Sequence, residues 1–165
     1  MKIAVTDASI FIDLIHIGWV RHLSQLDGEV VTTYEVLAEL HDWQQALLEE
    51  LAQEQGLVIH PVPDSDLSSW KETVATARGL SRPDLTVLWL AVQLEAMVLT
   101  GDKVMRSTST RLNLETHGIL WLFEQFIKNQ LVSHSEACNG LEALMEINDR
   151  LPREECAKRI DGWRT

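Results

Sequence analysis

The sequence has few cysteines and no long hydrophobic run, and each shortage excludes a class of protein. Cys138 and Cys156 are the only cysteines among 165 residues, too few for a disulfide framework, so we expect a reducing compartment such as the cytoplasm. No uncharged apolar run approaches the roughly 18 residues that indicate a membrane span. Asp7 and Asp13 also interrupt the apolar stretch that a signal peptide would require. We therefore expect a cytoplasmic protein that does not enter a membrane.

Basic residues are scarce as well. The 14 Lys and Arg against 25 Asp and Glu give a net charge of −11 at pH 7, which disfavours sequence-independent adhesion to nucleic acid or to an anionic membrane. Positions 22–70 contain no Lys or Arg, whereas positions 71–111 contain six. This uneven distribution leaves two interpretations open: two solvated faces of opposite charge, or a positive surface that binds a polyanion beside an acidic site.

The sequence also lacks patterns on which several enzyme classes depend. Its six histidines form no pair four residues apart with a Glu between them, which argues against a zinc site. No glycine-rich loop of the phosphate-binding type follows a predicted strand, and no nucleophile elbow occurs. Nucleotide cofactors and Ser-His-Asp catalysis are therefore unsupported.

Hydrophobic residues make up 45% of the chain, and their arrangement indicates the fold. Short apolar runs without polar alternation predict strands buried on both faces, at positions 3–5, 30–31, 57–59, 97–99 and 119–120. The remaining stretches predict helices at 33–55, from about 64, from 81, at 121–131, from 133 and after 152. This alternation predicts an α/β three-layer sandwich, with a central, mostly parallel sheet and helices on both faces. A helical C-terminal extension follows it.

Local signals refine two of the predicted helices. Gly56 stands where the left-handed C-cap of the 33–55 helix is expected. Ser81 and Asp84 have the spacing of a capping box, and the helix that they open is apolar nearly all round. We therefore expect that helix to be buried at the centre of the molecule.

Four acidic residues fall at or near the carboxyl ends of predicted strands, where ligands bind in open α/β sheets: Asp7, Glu39, Asp84 and Asp102. Carboxylates placed together repel one another, and their charge is costly unless a cation neutralises it. A hard divalent cation such as Mg²⁺ or Mn²⁺ prefers oxygen ligands. The pattern therefore predicts a metal-binding site at one edge of the sheet.

Two of these four acids, and two acids near them in the sequence, can also be explained by roles in the fold alone. Asp84 would serve as a capping-box acid at a helix N-terminus, and Asp102 as a turn residue. Glu35 follows Thr32 at capping-box spacing, so we assign it that structural role. Asp13 is expected on a solvated helix face and is left out of the site.

The segments that contain the four acids resemble the motifs of PIN-domain nucleases. These segments are VTDASIFI at 5–12, VLAEL at 36–40, LSRPDLTVL at 80–88 and VLTGD at 98–102. Positions 118–120 and the helix that follows resemble the family's closing strand and helix. The resemblance covers residues 1–130, and we expect them to form a PIN-like domain. Residues 131–165 would be a helical extension packed on the same domain.

The resemblance implies metal-dependent hydrolysis of RNA phosphodiester bonds, often by toxins of the VapC type that a cognate antitoxin holds in check. One or two Mg²⁺ (or Mn²⁺) ions would be held by the catalytic residues Asp7, Glu39, Asp84 and Asp102. Ser9 and Thr100 would orient these carboxylates through hydrogen bonds. RNA would be bound by Arg82, Lys103 and Arg106.

Two other functions remain open. A catalytically silent PIN-fold module that binds protein partners is favoured by the net charge of −11, because RNA must approach an acidic body. A receiver domain would need an acid at the end of its central strand, and Asp64 follows the third predicted strand too late.

We expect the C-terminal extension to offer a homodimer or antitoxin surface. Most of the six tryptophans are expected in the core, with Trp163 exposed.

Overall fold

The strands of this protein form a parallel sheet. The computed structural model describes residues 3–74 and 78–165. The strands are β1 (Ala4–Thr6), β2 (Val30–Thr33), β3 (Val58–His60), β4 (Met97–Leu99) and β5 (Thr116–His117). They lie in the order β3-β2-β1-β4-β5, and each neighbouring pair is parallel. All of them therefore end at the same edge of the sheet, with β1 at its centre.

Helices cover the sheet. In chain order they are α1 (Ala8–His16), a 3-10 helix (Val20–Gln25), α2 (Tyr34–Ala38), α3 (Asp42–Gln53), α4 (Asp64–Thr73), α5 (Arg82–Gln93), α6 (Lys103–Arg111), α7 (Ile119–Lys128), α8 (His134–Ile147) and α9 (Arg153–Arg164). Every residue of β1, β2 and β4 is buried, which requires helices on both faces of the sheet. The predicted α/β sandwich is confirmed. Within the described ranges, no helix is long and apolar enough to cross a membrane.

Helix α5 is central, as its apolar sequence predicts. The Ser81 hydroxyl accepts a hydrogen bond from the Asp84 N–H at 3.3 Å, and Asp84 Oδ2 accepts one from the Ser81 N–H at 2.7 Å. This capping box fixes where the helix begins. Leu88 and Ala91 in its body are completely buried.

The prediction of a single helix over 33–55 is wrong, because this segment forms two helices, α2 and α3. Thr33 is the N-cap of α2 and accepts a hydrogen bond from the Val36 N–H. Thr32, the partner of Glu35 in the predicted capping box, instead donates its hydroxyl proton to the Thr6 carbonyl on β1 at 2.8 Å. The structural role assigned to Glu35 is therefore wrong as well.

Two further local predictions are corrected. Positions 119–120 begin α7 rather than form a strand, and the fifth strand lies just before them at Thr116–His117. The left-handed residue after α3 is Gln55, with φ of 62°, not Gly56. Gly56 is needed for space, because a Cβ there would lie 2.6 Å from Ser24 Cβ.

The C-terminal helices belong to the same hydrophobic core as the sheet. Leu141 and Leu144 of α8 and Cys156 of α9 are completely buried in it. The prediction that Trp163 is exposed is wrong, since its ring lies parallel to that of Phe123 with centroids 6.1 Å apart. Truncating the chain after α7 would therefore expose core surface.

Asp13 ties α1 to this C-terminal region. Its side chain is only 7% exposed, and its two carboxylate oxygens accept hydrogen bonds from Asn148 Nδ2 at 3.0 and 3.1 Å. The expectation that Asp13 lies on a solvated face is therefore wrong. The local sequence could not predict its burial, because its hydrogen-bond partner lies 135 residues away. Burial raises the pKa of the Asp13 carboxyl from 3.8 to about 6, against the opposing effect of the Asn148 hydrogen bonds.

Removing the buried charge is expected to stabilise the protein at neutral pH. Because the folded pKa lies above the unfolded one, the stability contributed by Asp13 is full below pH 3.8 and is lost as the pH rises through about 6. We expect Asp13→Asn to have little effect near pH 4 and to raise the free energy of unfolding at pH 7 by up to about 3 kcal/mol. Urea unfolding across this range measures the difference. Asp27→Asn, at an exposed loop residue, is the matched control, and a pH-independent Asp13→Asn effect would contradict the prediction.

Candidate active site

The four predicted acids lie around the point where the chain connections leave the sheet in opposite directions. From β1 the chain continues to β2 on one side, while β4 pairs with β1 on the other. Such switch points leave a crevice at the carboxyl ends of the strands. Asp7 follows β1 there, and its N–H donates to the Leu99 carbonyl of β4 at 3.1 Å.

Asp7 is the buried member of the group, with only 6% of its surface exposed. Its Oδ1 accepts hydrogen bonds from Ser9 Oγ at 2.6 Å and from the Ile10 N–H at 3.3 Å, and Thr100 Oγ1 donates to its Oδ2. The bond from Ile10 makes Asp7 the N-cap of α1. Burial nevertheless raises the pKa of the carboxyl, and the charge of Asp84 raises it further. The ionised form is therefore held at a cost that a nearby cation would relieve.

Asp102 is joined to Asp7 through hydroxyl groups. Thr100 Oγ1 donates to Asp7 and also accepts the Asp102 N–H at 3.1 Å. Ser9 Oγ donates to Asp7 and accepts the Gly101 N–H at 3.0 Å. Ser9 and Thr100 thus fasten the loop after β4 to the buried carboxylate. Asp102 is itself the N-cap of α6 through its Oδ1.

Glu39 and Asp84 approach from the opposite side of β1. Glu39 follows α2, Asp84 lies in the first turn of α5, and the hydroxyls of Thr33 and Thr86 join these two elements through a buried hydrogen bond of 2.8 Å. Loss of hydration raises the pKa of Glu39, and the charges of Asp84 and then Asp7 raise it further. Three of the predicted acids are therefore close enough to repel one another.

The donor atoms of these acids suit a hard divalent cation, although they do not form a ready cage. Asp84 Oδ1, Asp102 Oδ2 and both oxygens of Glu39 accept no hydrogen bond from any residue in 3–74 or 78–165, so they remain available as oxygen ligands. Over the same residues, no three His, Cys, Asp or Glu side chains lie together closely enough to hold one ion. Asp7 is fixed by its hydrogen bonds, so any closer gathering depends on movement of the other side chains.

The cations predicted to bind RNA fall in two different environments. The Arg82 guanidinium contacts the Asp64 carboxylate and lies 4.0 Å from Glu35 Oε1. Lys103 and Arg106 line a cavity beside the acids. Arg106 Nη2 also donates to the Thr100 carbonyl at 3.3 Å.

The same cavity contains residues that sequence reasoning missed. His117 at the end of β5 and Trp121 in α7 stack with ring centroids 4.2 Å apart and an interplanar angle of 12°. Asn148 and Arg150, just after α8, line the cavity as well. The mistaken strand at 119–120 hid the aromatic pair, since it placed an extended segment between the two rings. A helix that begins at 119 after a strand ending at 117 would have brought them together.

A family model described as a PIN domain (DUF3368) matches residues 3–164 of this chain, and so includes α8 and α9. Among curated proteins, Endoribonuclease Nob1 of Methanocaldococcus jannaschii is 33% identical over 150 residues, which covers 90% of this chain and 70% of that protein. Both similarities extend over most of the sequence.

Solved structures are similar to this one at low sequence identity. PAE2754 from Pyrobaculum aerophilum superposes with a TM-score of 0.50 at 16% identity, covering 80% of this chain and 100% of that one. VapBC-1 from nontypeable Haemophilus influenzae gives a TM-score of 0.48 at 20% identity, covering 70% of this chain and 97% of that one. The first likeness supports the predicted architecture.

The buried carboxylate of Asp7 is expected to cost stability. Asp7→Asn keeps an oxygen that can cap α1, and the Ser9 and Thr100 hydroxyls can turn to suit the amide, while the buried charge disappears. We expect the free energy of unfolding at pH 7, measured with urea in chelator, to rise by about 1–3 kcal/mol. Asp7→Ala, which removes the charge but also the cap and both hydroxyl contacts, is the control and should lie below Asp7→Asn. If Asp7→Asn lowers the free energy of unfolding as much as Asp7→Ala does, the prediction that the buried charge costs stability is contradicted.

Proposed function

Because this chain belongs to the PIN-domain family of nucleases, we propose that it is a Mg²⁺- or Mn²⁺-dependent endoribonuclease. The observation that carries the proposal is the buried carboxylate of Asp7 at the sheet's switch point. Asp84 lies close enough to raise its pKa, and the charges of Asp84 and Asp7 together raise the pKa of Glu39. Such a group of acids is unfavourable without a cation. The relative named Endoribonuclease Nob1 supports RNA as the substrate.

In this proposal Asp7, Glu39, Asp84 and Asp102 hold the ion. A Mg²⁺ or Mn²⁺ ion held there would lower the pKa of a water and would neutralise charge on the phosphate. Ser9 and Thr100 hold the Asp7 carboxylate in one orientation, which makes it the fixed member of the set. Glu39 is exposed and has no hydrogen-bond partner among residues 3–74 and 78–165, so its side chain is free to turn toward Asp7.

Lys103 and Arg106 are the cations best placed to bind the RNA backbone. Both lie in or near the first turn of α6, directly after Asp102. Neither has a carboxylate within 4.0 Å among the residues that the structure describes, which leaves their charge available for phosphate. Arg82, by contrast, is engaged by Asp64, so its contribution to RNA binding is expected to be smaller.

Cleavage of a mixed single-stranded RNA pool tests the proposal. We expect the wild type to cleave in Mg²⁺ and to lose activity in chelator, and Asp7→Asn to reduce the rate at least about a hundredfold because it removes a charged ligand of the ion. Asp27→Asn, at an exposed position before β2 and so at the other edge of the sheet, is the matched control and should cleave normally. Equal cleavage in all conditions, or none in any, would reject the enzyme in favour of a silent interaction module.

The proposal extends to a toxin that acts in the cytoplasm as a homodimer and is restrained by a cognate antitoxin. Its support is the resemblance of the four motifs to VapC-type toxins, together with the buried, unpaired thiols of Cys138 and Cys156, which suit a reducing compartment. Induced expression in a bacterial host is expected to arrest growth, and Asp7→Asn is expected to abolish the arrest. Normal growth with active wild-type enzyme would remove the toxin role and leave the nuclease.

A further inference from the structure

A cavity of about 690 Å³ lies beside the acids, within the roughly 300–1,000 Å³ range of small-ligand pockets. Its wall combines α1, the loop after β4, the start of α7 and the segment between α8 and α9. We call it the tail cavity, because residues 147, 148, 150–152 and 159 of the C-terminal region line it. None of the four candidate acids lines it, so it is a separate space from the proposed metal site.

The tail cavity nevertheless lies beside that site. Ser9 and Gly101 line it, and these are the residues joined by the hydrogen bond that fastens the β4 loop beside Asp7. Ser9 hydrogen-bonds to Asp7, and Gly101 directly precedes Asp102 in the chain, so a ligand in the cavity would lie next to the carboxylate cluster. Asn148, which also lines the wall, is anchored by its two hydrogen bonds to Asp13, so the C-terminal side of the cavity is held in place.

Apolar and aromatic surface in the tail cavity is left uncovered. Ile12 and Ile147 are 44% and 48% exposed, and both line it. The stacked pair of His117 and Trp121 lines it as well. Flat aromatic surface of this kind binds an unpaired nucleic-acid base by stacking, whatever the base.

Four cations line the tail cavity against two carboxylates, those of Asp13 and Glu124, so its lining is positive although the chain as a whole carries −11. Lys103, Arg106 and Arg150 line it, and none of them has a carboxylate within 4.0 Å in the described part of the chain. A fourth cation, Arg159, is held by Glu124 at 2.8 Å and Glu155 at 3.1 Å. Three cations without a paired carboxylate, together with the apolar and aromatic surface, complement a group that has both a planar ring and a phosphate.

We propose that the tail cavity binds one unpaired nucleotide of the substrate RNA next to the scissile bond, with its base on Trp121 and its phosphate near Arg150 and Lys103. The inference rests on the proposed nuclease function and adds to it a nucleotide subsite outside the four carboxylates. It also assigns a role to the C-terminal region, which supplies one side of the nucleotide site.

Binding of a short end-labelled single-stranded RNA of mixed sequence, followed by fluorescence anisotropy in chelator, tests this proposal. We expect Trp121→Leu to weaken binding about tenfold through lost stacking. Arg150→Ala should weaken it about threefold or more and reduce the slope of log affinity against log salt by about one. Arg150 is exposed, so this second variant is expected to fold even if the first does not. A duplex of the same sequence should bind more weakly, because its bases are not free to stack.

The controls match each variant in chemistry but lie outside the tail cavity. Trp43→Leu removes an indole of α3 that is 62% exposed. Arg153→Ala removes a cation that lies three residues after Arg150 in the chain and is paired with Asp149. Both should bind RNA as the wild type does. Equal affinity of the wild type and both cavity variants, or no binding by the wild type, would overturn the proposal. Equal affinity would favour a protein segment as the occupant.

The Asp7→Asn protein separates this proposal from the nuclease proposal. It keeps the tail cavity and loses the fixed carboxylate, so it should bind RNA with the same dependence on Trp121 and Arg150. If this dependence holds while the wild type fails to cleave, the nucleotide site stands and the nuclease falls. If the wild type cleaves RNA but its affinity does not depend on Trp121 and Arg150, the nuclease stands and the nucleotide site falls.

Discussion

The arrangement of the carboxyl edge of the sheet depends on one constraint: the carboxylate of Asp7 is buried at the end of the central strand, β1. A buried Asp needs several donors to offset its lost hydration, and Asp7 receives them from Ser9, Thr100 and the Ile10 N–H. Two of these donors also bind the loop that follows β4. The same hydrogen bonds that make the carboxylate tolerable therefore join the two strands that flank the switch point.

Structural and functional interpretations of the acids, which compete at the level of the sequence, coincide in the structure. Asp7 and Asp102 are the N-caps of α1 and α6, and Asp84 completes the capping box of α5. Each helix thus begins with its acid at the carboxyl edge of the sheet. Because one carboxylate oxygen suffices for a cap, Asp84 and Asp102 each keep a second oxygen for a ligand.

The architecture and the common edge of the acids were predictable, because buried parallel strands have a distinctive apolar pattern and α5 carries a complete capping box. What failed depended on information outside a local window. An apolar pair such as Ile119 and Leu120 looks alike at the end of a strand and at the start of a helix. The burial of Asp13 depends on Asn148, 135 residues away. The aromatic wall of the tail cavity was hidden for the first of these reasons and its C-terminal side for the second.

The central claim is that Asp7, Glu39, Asp84 and Asp102 hold a divalent cation together. Anomalous diffraction from crystals of the wild type grown with Mn²⁺ tests it most directly, because it locates the ion without reference to activity. The account predicts a manganese peak bonded to carboxylate oxygens of Asp7 and Asp102, with Glu39 or Asp84 turned toward it. Manganese bound only at other surface carboxylates, with the four acids unchanged, would contradict the account.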